Sequence, residues 1–202
     1  MLALIIVLVV LVMLLAAVAL VLLGRSKTHA AQAAEPTRTD PLAAQGPGVA
    51  SGDPRAIGIG DIVEIRGHSW AVRGQLRFRE GSWQWREHLL EDSDGSQQWL
   101  SVEEDPDLVL ALWTPVPGAT VTPGPAAVEL DGHRYAAEDD GTAKFEAEGT
   151  TGLDAGGTVK YHDYTGTGGA LLSFEDYGGT GRWEVSRGQQ LPRHELRVFP
   201  AL

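Results

Sequence analysis

The distribution of apolar and polar positions divides the chain into three stretches. Residues 2–23, LALIIVLVVLVMLLAAVALVLL, are apolar at every position. A helix rising about 1.5 Å per residue over that length matches the roughly 30 Å hydrocarbon core of a bilayer. It also closes its own backbone hydrogen bonds, as lipid requires. The pattern predicts a transmembrane helix at 1–23. A signal peptide, the alternative, has a basic residue before a shorter apolar run. No Lys or Arg precedes this run, although small residues from Ala30 to Ala34 follow it. Arg25 and Lys27 lie just beyond, and the positive-inside rule places the C-terminal side in the cytoplasm. Residues 24–57 have no apolar period and are rich in Ala, Pro, Gly, Ser and Thr, so they read as a flexible linker.

From about Gly60 the period becomes two. DIVEIR, SWAVRG, QLRFRE, SWQWREHLL, QQWLSVEE and LVLALW alternate apolar and polar positions, with Gly67, Gly74, Gly81, Asp94-Gly95 and Asp105-Pro106 as breaks. AVEL, HRYAAE, AKFEAE, TVKYHDY, ALLSFEDY, RWEV and HELRVF do the same. Short runs rich in aromatic and β-branched residues, punctuated by turn residues, predict antiparallel strands. The expected fold of 58–202 is all-β: about a dozen short strands in a sandwich or open barrel.

Two stretches share a pattern, VEIRGHSWA at 63–71 and VELDGHRYA at 128–136. Two further blocks follow in the same order. Trp85-Arg86-Glu87-His88 aligns with Tyr161-His162-Asp163-Tyr164, and Leu100-Ser101-Val102-Glu103 with Leu172-Ser173-Phe174-Glu175. The period is too long for a solenoid, and the pattern predicts two similar halves, about 60–113 and 126–199. The proline-rich 114–125 would join them as a stiff crossover. His68 and His133 fall at hairpin turns, and packing about a pseudo-twofold axis would be their route to a shared site.

Composition narrows the chemistry. The chain has no cysteine, which excludes thiol nucleophiles, disulfides and Cys-ligated metals. Its formal net charge is −11, which argues against nucleic-acid binding. The acidity belongs to the stretch from Gly58 onward, because the residues before it are slightly basic. His68, His88, His133, His162 and His194 show no metal-ligand spacing. The acidic clusters at 91–94, 103–107 and 138–140 read as solvated turns, and the Asp92-x-Asp94-Gly95 fragment lacks the rest of a calcium loop. The six Trp residues are expected in the core, with Trp83, beside the turn at Gly81, the candidate for an exposed ring. The Gly-rich stretches 151–158 and 165–169 open no helix and make no phosphate cradle. No nucleophile motif is present.

The Gly-Asp before the first strand, the Trp-rich W-R-E-H-L strand and the following W-L-S-V together resemble a bacterial family of unknown function, the one numbered 4178. The resemblance covers about 58–200. It implies an N-terminal membrane anchor, which several members carry, and brings no catalytic motif, substrate or reaction. The expected role is a single-pass, membrane-anchored, non-enzymatic adaptor without cofactor or metal, facing the cytoplasm. Its partner would be a protein, basic or membrane-embedded, since an acidic surface steers basic partners. His68, His133, Trp83, His88 and His162 are the candidate interaction residues. The alternative is an extracytoplasmic small-ligand or carbohydrate binder that uses exposed Trp residues.

Overall fold

The period-two segments form eleven strands: β1 (Ile62–Ile65), β2 (His68–Glu80), β3 (Trp83–Glu91), β4 (Gln97–Glu104), β5 (Leu108–Pro115), β6 (Ala127–Leu130), β7 (His133–Gly149), β8 (Gly156–Gly166), β9 (Ala170–Tyr177), β10 (Glu184–Gln190) and β11 (Leu196–Phe199). The computed structural model of the chain describes residues 52–104 and 106–201. The expected transmembrane helix at 1–23 and most of the expected linker lie outside the described residues. Among the described residues no helix is long and apolar enough to cross a membrane.

Every pairing is antiparallel. The strand order is β11-β1-β2-β3-β4-β5-β10-β9-β8-β7-β6, and an additional pairing of β2 with β7 closes the eight strands from β2 to β7 into a barrel. The all-β expectation holds. The barrel is closed, where a sandwich or open barrel was expected. Closure depends on β2 and β7, which are 13 and 17 residues long. Each was expected as two short strands. Gly74 does not end a strand; it lies inside β2. The acidic stretch Glu138-Asp139-Asp140 is not a turn; it lies inside β7. Both strands carry a register shift, between Val72 and Gly74 in β2 and between Ala137 and Asp139 in β7. A bulge bends a strand and increases its twist. Each long strand can therefore serve an outer hairpin first and the barrel wall afterwards.

The repeated nonapeptides form those outer hairpins. Val63 pairs with Trp70 and Ile65 with His68; Val128 pairs with Tyr135 and Leu130 with His133. The turns have φ of 52° at Arg66 and 80° at Gly67, and 52° at Asp131 and 78° at Gly132. Two successive positive φ values define the type I′ hairpin turn, which explains the glycine at its second position.

Matching registers continue into the wall. Trp85, Glu87 and His88 pair with Glu103, Ser101 and Leu100. Tyr161, Asp163 and Tyr164 pair with Glu175, Ser173 and Leu172. Each hairpin packs over the outward faces of its own three following strands. One outer core joins Val63, Ile65 and Trp70 to Leu90, Leu100 and Leu110. The other joins Val128, Leu130 and Tyr135 to Leu172, Phe174 and Val185. Leu100 and Leu172 are fully buried, and each such side chain contributes about 1.5–3 kcal/mol by leaving water. The crossover 116–126 packs on the second core, where the Tyr164 hydroxyl accepts from the Gly124 N–H at 2.8 Å and donates to the Pro125 carbonyl at 3.2 Å.

The ordered domain also begins before Gly58. The Gly52 N–H donates to the Val198 carbonyl at 2.9 Å, and Arg55 bridges to Glu104. Ile57 is buried in the first core, so residues 52–57 are part of the fold rather than of a linker.

Candidate functional site

In a strand, alternate side chains point to opposite faces. Since the two outer cores take up positions on one face of the wall strands, the alternate positions point into the barrel. On β3 these are Trp83, Trp85 and Glu87; on β4, Trp99, Ser101 and Glu103; on β8, Tyr161 and Asp163; on β9, Ser173 and Glu175. One part of the interior is filled by Leu76, Phe78, Ala143, Phe145 and Val159. The rest is a cavity of about 390 Å³. An eight-stranded barrel is just wide enough for one small ligand.

Among the described residues, fourteen line this lumen: six carboxylates, five aromatic rings and three serines, with no basic side chain. The rings come mainly from the first half. Trp85 stacks on Phe78 at 4.8 Å and meets Tyr161 edge-on at 6.0 Å. The Trp113 indole N–H donates to the Ser101 hydroxyl oxygen at 3.0 Å. The Trp113 ring lies over Gly188, its cross-strand partner, where an added Cβ would sit 2.4 Å from the ring. The absent side chain is what gives the ring its slot. The Tyr161 hydroxyl donates to Glu80 at 2.6 Å, and Glu80 also accepts from the Thr142 N–H at 3.1 Å.

Three of the carboxyls, those of Glu87, Asp163 and Glu175, are raised above the ordinary carboxylate range. Glu87 is pushed up to about 8 by enclosure, with the Asp163 charge adding to it. Asp163 is raised to about 6, again mainly by enclosure; a hydrogen bond with Ser173 opposes the shift, and Asp139, Glu138 and Glu103 reinforce it. Glu175 is held well above the usual carboxylate range by enclosure and by Glu87 and Asp163. Low dielectric and like charges both favour the neutral acid. Among the described residues, no three His, Asp or Glu side chains converge closely enough to hold a metal ion. The negative charge is spread along the wall.

Of the five candidate interaction residues, Trp83 alone is among the described residues that line this cavity. His68 is exposed, packs against Trp70 at 4.7 Å and pairs with Asp92 at 3.4 Å. His133 is exposed on the other hairpin. His162 is half-buried on the outward face, edge-on to Trp183 at 5.3 Å. His88 is fully buried and both ring nitrogens lack a partner. Burial lowers it to about 4, so it is neutral at pH 7 and not available to a surface partner. The Trp expectation is corrected in part. Trp70 is core, and Trp85, Trp99 and Trp183 pack against core clusters, but Trp83, Trp85, Trp99 and Trp113 also line the lumen. Glu87, Asp163 and Glu175 were missed as site residues, yet the signal was present. Glu87 and Asp163 share strand parity with Trp85 and Tyr161 and occupy matching places in the aligned blocks, and Glu175 stands opposite Tyr161 at the place that matches Glu103.

A closed antiparallel barrel with a ligand-sized lumen and flanking hairpins belongs to the internal-cavity class of β-barrels. Within that class the chain belongs to the DUF4178 family, described as a domain of unknown function, whose model matches residues 58–193. Similar proteins include an uncharacterized protein of Mycobacterium bovis (Mb2628) and an uncharacterized protein of Mycobacterium tuberculosis (Rv2597). Each is 41% identical over 170 residues, 81% of this chain and 81% of the relative. No solved structure matches.

Proposed function

We propose that the domain is a non-enzymatic binding barrel whose lumen takes one small organic cation. The observation that carries this reading is the lining itself: among the described residues, six carboxylates, five aromatic rings and no basic side chain surround about 390 Å³. Aromatic faces attract ammonium groups, and the attraction strengthens as water is excluded. Carboxylates spread along the wall suit a charge carried by an organic framework rather than a point ion. The volume lies in the range of small-molecule sites. This reading develops the small-ligand alternative seen in the sequence, and it concentrates function in the lumen rather than in an adaptor surface. The expected N-terminal anchor would tether the barrel to a membrane.

A neutral saccharide would use the same aromatic wall, so the test sets the two against each other. The full chain in nonionic detergent is titrated with benzyltrimethylammonium, with its neutral tert-butyl analogue and with a neutral oligosaccharide, followed by Trp fluorescence and calorimetry. Saturable binding of the cation alone, weakened by salt, is expected. Binding of the oligosaccharide without the cation would overturn the reading.

A further inference from the structure

Seven of the eight barrel strands bring an acidic side chain toward the lumen. Glu80 comes from β2, Glu87 from β3, Glu103 from β4, Asp139 from β7, Asp163 from β8 and Glu175 from β9. On β10, Glu184 shares the face of Ser186 and acts on Glu175. Beside the β7 bulge, Glu138 acts on Asp163. β5 presents Trp113 instead. The remaining titratable groups are the hydroxyls of Tyr161 and Tyr177, both held neutral because their ionisation is pushed further up by enclosure and nearby carboxylates. Among the described residues, no Lys, Arg or His lines the cavity.

Charges of one sign confined in one cavity cannot all be ionised without a counter-charge, so such groups share protons. Glu87, Asp163 and Glu175 are the members that feel one another most directly. Glu87 and Asp163 sit in matching registers of the two halves, each opposite a serine, and Glu175 lies on the neighbouring strand of the second half, opposite Tyr161. We infer that the empty lumen stores protons on these carboxyls and that a cation enters by expelling them, which makes the barrel a cation–proton exchanger. This rests on the organic-cation reading of the same cavity. The exchange balances. A carboxylic acid becomes a carboxylate, its proton leaves to solvent, and the incoming cation keeps the charge of the lumen nearly constant. No bond to the ligand forms. Affinity must then rise with pH, because protons compete for the same oxygens.

Calorimetry of the full chain in nonionic detergent with benzyltrimethylammonium, at pH 7 in two buffers of different ionisation enthalpy, counts the protons released. About one to two protons per cation is expected, with affinity falling roughly tenfold per pH unit per proton between pH 8 and 6. Glu87→Gln, checked for cooperative thermal unfolding, lowers the count. Glu104→Gln, exposed and paired with Arg55 outside the lumen, leaves it unchanged. Binding with no proton release overturns the exchange and leaves the cation reading standing. Absence of any cation binding overturns both. An unchanged count in a folded Glu87→Gln protein also overturns the exchange as assigned.

Discussion

The two halves of the barrel share strand order, hairpin turns and cross-strand registers, yet they face the lumen differently. The first half presents Trp85, Trp99 and Trp113; the matching positions of the second are Tyr161, Leu171 and Gly188. The outward positions keep their character, with Leu100 matching Leu172 and Val102 matching Phe174. Packing must be satisfied on the outer face of both halves, and this holds those residues apolar. The lumen is free of that demand. It has become asymmetric: the indoles come from the first half, while the carboxyls come from both, Glu80, Glu87 and Glu103 from the first and Asp139, Asp163 and Glu175 from the second. The difference separates scaffold from site within the same strands.

If the outer faces are equivalent scaffold, Leu100→Ala and Leu172→Ala should each cost about 3 kcal/mol, as large-to-small changes in packed cores do. Denaturant unfolding measures both. Losses differing severalfold would break the equivalence. The next effect concerns the seam between the halves. Gly188→Ala forces the Trp113 ring from its slot and should cost about 1–3 kcal/mol, with a shift in Trp emission. Pairing it with Trp113→Ala should restore much of the loss, since the clash is with that ring. Failure of the pair to show coupling would remove the slot from the account.

A smaller effect separates lumen from scaffold by pH. Glu87, Asp163 and Glu175 titrate higher in the folded protein than in the unfolded chain. The folded state therefore binds more protons between the two values, and stability falls as pH rises from about 4.5 toward 8. Glu87→Gln should flatten this limb, with a gain on the order of 1 kcal/mol at pH 8 and little change at pH 4.5. His88 acts with the opposite sign. Its folded value is depressed to about 4, so the stability it supports is present above about 6.5 and is lost as pH falls toward 4. Thermal unfolding across pH should give a dome, and a profile still rising at pH 8 would contradict the raised carboxyls of Glu87, Asp163 and Glu175. Least of all, Arg55→Ala removes an exposed pair with Glu104 and should leave the unfolding midpoint within error.

Much of the barrel was legible in alternation and turn residues. The hairpins of VEIRGHSWA and VELDGHRYA follow from Arg66-Gly67 and Asp131-Gly132, and the aligned blocks occupy matching registers. Closure was not legible, because it depends on β2 continuing through Gly74 and β7 through Glu138-Asp139-Asp140. Local composition marks both as breaks, and only long-range pairing makes them strands. The same error hid the site. Acidic residues read as solvated turns, and no local signal says that a carboxylate alternating with Trp on one strand will face another such strand across a closed wall. The histidines drew attention by residue type, but chemistry here follows strand parity.

The central claim is that a cation occupies this lumen. Tetramethylarsonium, a quaternary cation whose arsenic scatters anomalously, tests it directly in crystals of the protein. The account predicts one anomalous peak inside the barrel, between the indoles of Trp99 and Trp113 and the carboxyls of Glu87, Asp163 and Glu175. A barrel without such a peak at saturating concentration, or peaks confined to its outer surface, would contradict it.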